Sequence, residues 1–347
     1  MYFASDNAGR VHPQVMDVLA EANTGFAMPY GEDTLMDEVR DRVREVFEAP
    51  QAAVYLVGTG TAANSIALAT LCQPWHTIFC SPVAHIQEDE CNAPEFYAGG
   101  AKLMLVGESD KMTADTLRRA IAREETRGVH GPQRGPVSIT QVTERGSVYT
   151  VAELKALCDV AKSFDLPVHL DGARFTNAMV ALGCSPAEMT WKIGVDVVSF
   201  GGTKNGLMGV EAVIFFDPAH AWEFELRRKR GAHLFSKHRF LSAQMAGYLR
   251  DDLWLTSART ANDNCARLAA GLRDAGASFL HEPQANMIFA QFPRATHKRL
   301  HDAGAVYYVW EGELEGDDPD ELLAARLVCD WSLSHAQIDQ FTDLLKG

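Results

Sequence analysis

Val168-His169-Leu170-Asp171-Gly172-Ala173-Arg174 and, further along, Val195-Asp196-Val197-Val198-Ser199-Phe200-Gly201-Gly202-Thr203-Lys204-Asn205-Gly206 are the stretches on which the reading turns. Each begins as a short apolar run and ends in small and polar residues, the pattern of a strand buried on both faces. Asp171 falls at the C-terminal end of the first strand and Lys204 just beyond the second. The chain between them has room for one crossover helix, so the strands read as parallel neighbours. Parallel α/β sheets carry their chemistry at strand C-termini. A carboxylate and an amine are therefore expected to converge on one crevice. Pyridoxal phosphate (PLP) chemistry uses such a pair: a lysine bonds the aldehyde, and an acid partners the pyridinium nitrogen. The same residues also fit an exposed lysine in a Gly-rich turn beside a helix-capping aspartate, and these two segments do not decide between the readings.

Working outward, Ala52 to Val57 reads as a strand that runs into Gly58-Thr59-Gly60-Thr61-Ala62-Ala63-Asn64 and a helix from Ala62 to Leu71. A strand, a Gly/Thr turn and a helix N-terminus together make an anion cradle, because free amides and the helix dipole point at a bound phosphate. The alternative is a tight turn with a threonine cap. The segment is neither a G-x-G-x-x-G motif nor a P-loop, so nucleotide binding is not implied. His85 lies just past the strand Thr77 to Cys80, where its ring could lie over a cofactor or simply be a hydrogen-bonded structural histidine. Glu144 is expected at the end of the strand Val137 to Thr143. Near the start, His12-Pro13 opens a helix, and Thr34 is expected to cap the next. The cluster Arg227-Arg228-Lys229-Arg230 reads as a solvated helix end. From about Phe279 the texture changes to short strands and helices, with an acidic loop from Glu311 to Asp320. The division expected is a large domain over residues 1–250, including the N-terminal helices, and a small α/β domain over 251–347.

The 347 residues carry 47% hydrophobic residues, enough for a large core, and a net charge of −14. That charge argues against nucleic acid or an anionic membrane as partner. No apolar run reaches membrane-spanning length, and the N-terminus does not read as a signal peptide. Seven scattered cysteines without a C-x-x-C read as reduced thiols in the cytosol. Nothing suggests a metal site.

Taken in order, S-D-N at Ser5, P-Y-G-E-D at Pro29, G-T-G-T-A-A-N at Gly58, A-H at Ala84 with E-D-E-C after it, H-L-D-G-A-R at His169, G-G-T-K-N-G at Gly201 and A-R-L-V-C-D-W at Ala325 resemble the low-specificity L-threonine aldolases. These belong to the aspartate-aminotransferase-like, fold type I PLP enzymes of the threonine aldolase and beta-eliminating lyase family. The resemblance implies an α/β fold with a mainly parallel seven-stranded sheet and a small C-terminal α/β domain. It implies PLP as cofactor and retro-aldol cleavage of L-threonine, L-allo-threonine and other L-β-hydroxy-α-amino acids to glycine and an aldehyde.

It also implies residue roles. Lys204 would bond the cofactor, Asp171 would meet its ring nitrogen, and His85 would stack on the ring. Gly60 and Thr61 would hold the phosphate, helped by Lys237 from a neighbouring subunit. Ser5, Arg174 and Arg326 would grip the substrate carboxylate, Arg174 also lying near the cofactor. Tyr30 would reach a neighbouring subunit's site in a homotetramer built from dimers. Two departures stand out: Glu144 occupies the place of a second histidine common in the family, and Lys237 that of an arginine. Either His85 or Glu144 could be the base for the β-hydroxyl. An aminotransferase, a β-eliminating lyase, an L-phenylserine-preferring aldolase or a non-catalytic PLP-binding protein would share much of this pattern.

Overall fold

The computed structural model describes residues 1–347. The strands of the larger sheet are β1 (Ala53–Val57), β2 (His76–Cys80), β3 (Lys102–Leu105), β4 (Gln133–Thr140), β5 (Val168–Gly172), β6 (Val197–Gly201) and β7 (Glu211–Phe215). They lie in the order β1-β7-β6-β5-β4-β2-β3. Only β7 runs against its neighbours, while β2, β3, β4, β5 and β6 pair in parallel. The α/β fold with its mainly parallel seven-stranded sheet is thus as expected. Every residue of β5, β6 and β7 is buried, which is why these strands read as continuous apolar runs rather than alternating ones.

His169 is the polar exception inside the sheet. Its ring nitrogens meet Ser138 Oγ of β4 at 2.9 Å and Ser199 Oγ of β6 at 3.1 Å. Burial pushes its pKa down to about 4, so it stays neutral and ties three strands together. The ends of β5 and β6 approach so closely that a side chain cannot fit between them. A Cβ on Gly172 would lie 2.6 Å from Ser199 O, and one on Gly201 would lie 2.4 Å from Ala173 O.

A smaller antiparallel sheet follows, formed by β8 (Ser278–Phe279), β9 (Met287–Pro293), β10 (Tyr308–Glu311) and β11 (Leu322–Val328), in the order β10-β11-β9-β8. A long helix spans Leu253–Asp274. Leu253 and Trp254 enter the core of the large sheet, and Cys265, Leu268 and Leu272 enter that of the small one. Phe3 packs in the small core, its amide donating to Val306 O at 2.8 Å while its carbonyl accepts from Val328 N at 2.8 Å. The segment lies between the residues just before β10 and the end of β11, where its backbone groups find partners on both sides. The second helix is capped by Asp33, whose Oδ1 accepts from Met36 N at 3.0 Å, and Thr34 is its first helical residue. Asp is the stronger cap, and it sits one residue closer to the turn at Gly31, whose φ is 90°. No helix is long and apolar enough to cross a membrane.

Candidate active site

Four chain segments deliver the expected residues to the C-terminal edge of the large sheet. Asp171 is the penultimate residue of β5 and is buried. Its Oδ2 accepts from Asn64 Nδ2 at 2.9 Å and its Oδ1 from Ala173 N at 3.1 Å. Neither partner is a cation, although a buried carboxylate is stable only with strong donors or a counter-charge. Lys204 sits in a one-turn 3-10 helix, Thr203–Asn205, directly after β6. Helix Arg239–Leu249 braces that turn. Asn205 Nδ2 donates to Tyr248 Oη at 2.6 Å, and Gln244 Oε1 accepts from the amides of Met208 and Gly209, each at 3.0 Å.

The third segment is the phosphate cradle. The helix begins at Gly60, two residues earlier than expected, because Thr59 serves as its cap and accepts from Ala62 N at 3.1 Å. The amides of Gly60 and Thr61 point out of the first turn. A Cβ at Gly58 or Gly60 would meet nothing within 4 Å, so the turn faces open space. Both readings of this segment hold together: it is a capped turn, and its free amides make an anion site.

The fourth segment carries His85, which opens a short helix, His85–Glu88. Its Nδ1 lies 2.8 Å from Glu90 Oε1, and the same oxygen accepts from Asn64 Nδ2 at 2.9 Å. Asn64 therefore bridges Glu90 and Asp171. Burial alone would lower His85, but the hydrogen bond to Glu90 and the charges of Asp171, Glu144 and Glu90 outweigh it and hold its pKa above the usual range. Burial raises Glu90 despite its bonds to His85 and Asn64. The two directions agree: the pair keeps its shared proton to higher pH than either group alone.

Exchange of Glu90 for Gln removes that charge and should let the His85 pKa fall. If unprotonated His85 is the active form, the acid limb of kcat/KM moves to lower pH by about one unit. A pH–rate profile in which the limb stays put would separate His85 from it.

The arginines differ from expectation in one respect. Arg174 Nε and Nη2 donate to Asp6 Oδ2 and Oδ1 at 2.7 and 2.9 Å, with both side chains buried. The Nε edge is committed to Asp6, which leaves the other edge, Nη1 with the second N–H of Nη2, to face a ligand. Arg326 on β11 donates to Ala4 O at 3.3 Å, beside Ser5, whose Oγ accepts from Asn7 N at 3.1 Å. The charges of Arg174, Asp6 and Glu144 act on Arg326, so Ser5, Arg174, Arg326 and Glu144 gather on one side. Glu144 itself lies four residues beyond the end of β4, in a turn closed by Gly146 N donating to Thr143 O at 2.9 Å.

Tyr30 and Lys237 lie together elsewhere. Tyr30 N donates to Ser236 O at 3.2 Å, the Tyr30 ring is under Lys229, and both residues are exposed. No hydrogen bond links either to the Asp171–Lys204 crevice.

Sequence reasoning assigned no role to Glu90, Asn64, Asp6 or Asn286. Glu90 and Asp6 stand inside motifs quoted above, so their types were visible but their partners were not. Asn286 Nδ2 donates to Asp6 Oδ2 at 3.1 Å across the two sheets, a contact with no local signal.

The residues fit PLP. Asp171 is a buried acid without a cation, ready for a ring N–H; Asn64 Oδ1 is buried beside it with no partner; and the Gly58–Thr61 turn offers free amides to a phosphate. A buried acid, a braced lysine and an amide cradle at one edge of such a sheet define a PLP enzyme of fold type I. The family model for beta-eliminating lyases matches residues 2–294. The chain is 43% identical to the low specificity L-threonine aldolase of Pseudomonas aeruginosa, covering 95% of this chain and 92% of that one. It is 40% identical to that of a Pseudomonas sp. strain, covering 97% and 94%. The structure of a Leishmania major threonine aldolase matches it with a TM-score of 0.92 at 26% identity, over 99% of this chain and 98% of that one. The chain belongs to the beta-eliminating lyase family, in its threonine aldolase branch. It is a lyase, and its cofactor is PLP.

Proposed function

We propose that this enzyme cleaves the Cα–Cβ bond of L-threonine and L-allo-threonine, giving glycine and acetaldehyde. The observation that carries the proposal is the His85–Glu90–Asn64–Asp171 chain, which holds a proton-accepting ring and the cofactor's acid in one rigid unit. The names of the two Pseudomonas relatives support the substrate.

In this reading Lys204 would bond the cofactor aldehyde, Asp171 would accept from the ring N–H, and the amides of Gly60 and Thr61 would hold the phosphate. When bound, PLP supplies a sink for the electron pair of the broken bond. The chain does the rest. Arg326, with Ser5 and the open edge of Arg174, holds the substrate carboxylate and so sets the angle of the Cα–Cβ bond. His85 accepts the β-hydroxyl proton at Nε2, its Nδ1 being committed to Glu90. That commitment fixes the ring's orientation before substrate arrives. Glu144 is the competing base.

The assay is purified, PLP-loaded protein with L-threonine alone. Catalytic release of glycine and acetaldehyde supports the proposal; a single turnover would indicate a transaminase, and release of ammonia with a keto acid a β-eliminating lyase. His85→Asn is expected to lower kcat about 100-fold, and Glu144→Gln by less than about fivefold. The reverse ranking would give the base role to Glu144.

We infer a homo-oligomer built from dimers, in which Tyr30 and Lys237 reach a neighbour's site. The exposed apolar Phe26, Met28 and Phe235 lie with them, and such a cluster favours a protein partner. Light scattering on the purified chain tests this; a monomer at assay concentration would refute it. The reduced, scattered cysteines suit the cytoplasm, and fractionation of the source cells checks that placement.

A further inference from the structure

Beneath the Lys204 turn lies a carboxyl that the mechanism above does not use. Glu211 opens β7 and pairs with Val57 of β1 on one side and Gly201 of β6 on the other. It therefore sits between the strand that leads into the phosphate cradle and the strand that leads into Lys204. Its side chain is buried. Its Oε2 accepts from Gly202 N at 2.7 Å, and the hydroxyl and amide of Thr203 also donate to it. Thr203 Oγ1 accepts in turn from Val210 N at 3.2 Å, which leaves its own proton free for Glu211. None of these partners is a cation.

The charged groups around this carboxyl are few. Lys204 acts on it from the turn above. From helix Arg239–Leu249 it faces Tyr248, which is neutral and donates to Gly201 O at 3.2 Å. Asp6, from the N-terminal segment, acts on Lys204 from another side.

We propose that Glu211 is a positioning residue for Lys204: its carboxyl anchors the turn that carries the lysine, and its buried negative charge slows the capture of an aldehyde by that lysine. This rests on Lys204 being the residue that bonds the cofactor. The anchor follows from geometry. Two consecutive amides, of Gly202 and Thr203, point at one buried carboxyl, so the backbone just before Lys204 cannot shift without exposing unpaired polar groups. The electrostatic part follows from burial. An anion in a low-dielectric site favours a nearby ammonium over the free amine. Burial, the largest influence, pushes Glu211 up to about 7, against the pull of its hydrogen bonds and of Lys204. Its charge therefore changes near neutral pH, where the free amine is needed to capture the aldehyde.

The test uses apoenzyme and reads capture rather than turnover. Native protein, Glu211→Gln and Glu211→Ala are mixed with PLP at a series of pH values and reduced with borohydride, and the labelled peptide is mapped. Gln is isosteric, can still accept from Gly202 N, and carries no charge. The expected result for Glu211→Gln is label on Lys204 with the pH midpoint of capture moved down by about half to one unit. For Glu211→Ala, capture is expected to be about tenfold slower at every pH, because the turn loses its anchor. A midpoint unchanged in Glu211→Gln overturns the proposal, since a purely structural carboxyl would leave it unmoved. Label on a lysine other than 204 in native protein overturns it at its root, by removing the reading on which it rests.

Discussion

Lys204→Ala is expected to leave a folded protein that stays colourless with PLP, yields no borohydride-trapped adduct, and turns over L-threonine roughly 10⁴-fold or more slowly. The magnitude is that of removing the residue through which covalent catalysis runs. The fold should survive because the half-buried Lys204 side chain makes no hydrogen bond within the chain, while the turn around it is held by Asn205, Gln244 and Glu211. Far-UV circular dichroism separates loss of chemistry from loss of structure. A variant that keeps a cofactor absorption band and more than a few per cent of native turnover would sink the assignment.

The second large effect is on stability. Asp6→Ala should destabilise the apoenzyme by about 3–5 kcal/mol, because Arg174 would remain buried with its charge unpaired. Asn286 would lose an acceptor as well. Burial by itself would raise the Asp6 carboxyl, but the Arg174 guanidinium, Lys204 and the hydrogen bonds from Arg174 and Asn286 hold it below the ordinary range. The sign of the pH dependence follows. Such a group contributes its stability in full above the unfolded carboxylate pKa, near 3.9, and loses it as pH falls through the lower folded value. The gap between native protein and Asp6→Ala is thus expected to be constant from neutral pH to about 5 and to narrow in strong acid. Urea melts at several pH values measure it. A loss below about 1 kcal/mol at pH 7 would mean that solvent reaches Arg174 and the pair is not closed.

Asp6→Ala also tests how the two sheets are coupled. Asp6 binds Arg174 after β5 and Asn286 before β9, and Arg326 of β11 holds Ala4 O two residues earlier. The N-terminal segment is therefore a strap between the large sheet and the small one, running past Arg174 and Arg326. Weakening it should raise the KM for amino acid along with the cost in stability, because the position of Arg326 depends on the same segment.

The parts of the site legible in the sequence were those whose signals are local. The end of β5 and the lysine turn after β6 show as apolar runs broken by glycine, because a fully buried parallel strand tolerates little else. The cradle shows as a strand, a Gly/Thr turn and a helix start within a dozen residues. Where expectation slipped by a residue or two, as at Thr34 and Asp33 or at Gly60, two side chains competed for one cap and local pattern could not rank them. The motif around Arg174 names its residue type, but not its buried partner Asp6, which lies far off in the chain.

By itself, the sequence determined the class of fold, the places of Asp171 and Lys204 at the ends of two strands, and the order of the motifs along the chain, since each depends on a contiguous stretch whose residues are its own evidence. The tertiary structure alone decided which charges meet. The order β1-β7-β6-β5-β4-β2-β3 brings Asn64 to Asp171, Asp6 to Arg174, and Glu211 under the lysine turn. These pairs lie far apart in the chain. Their energies come from burial and mutual distance, which exist only once the strands have closed over them.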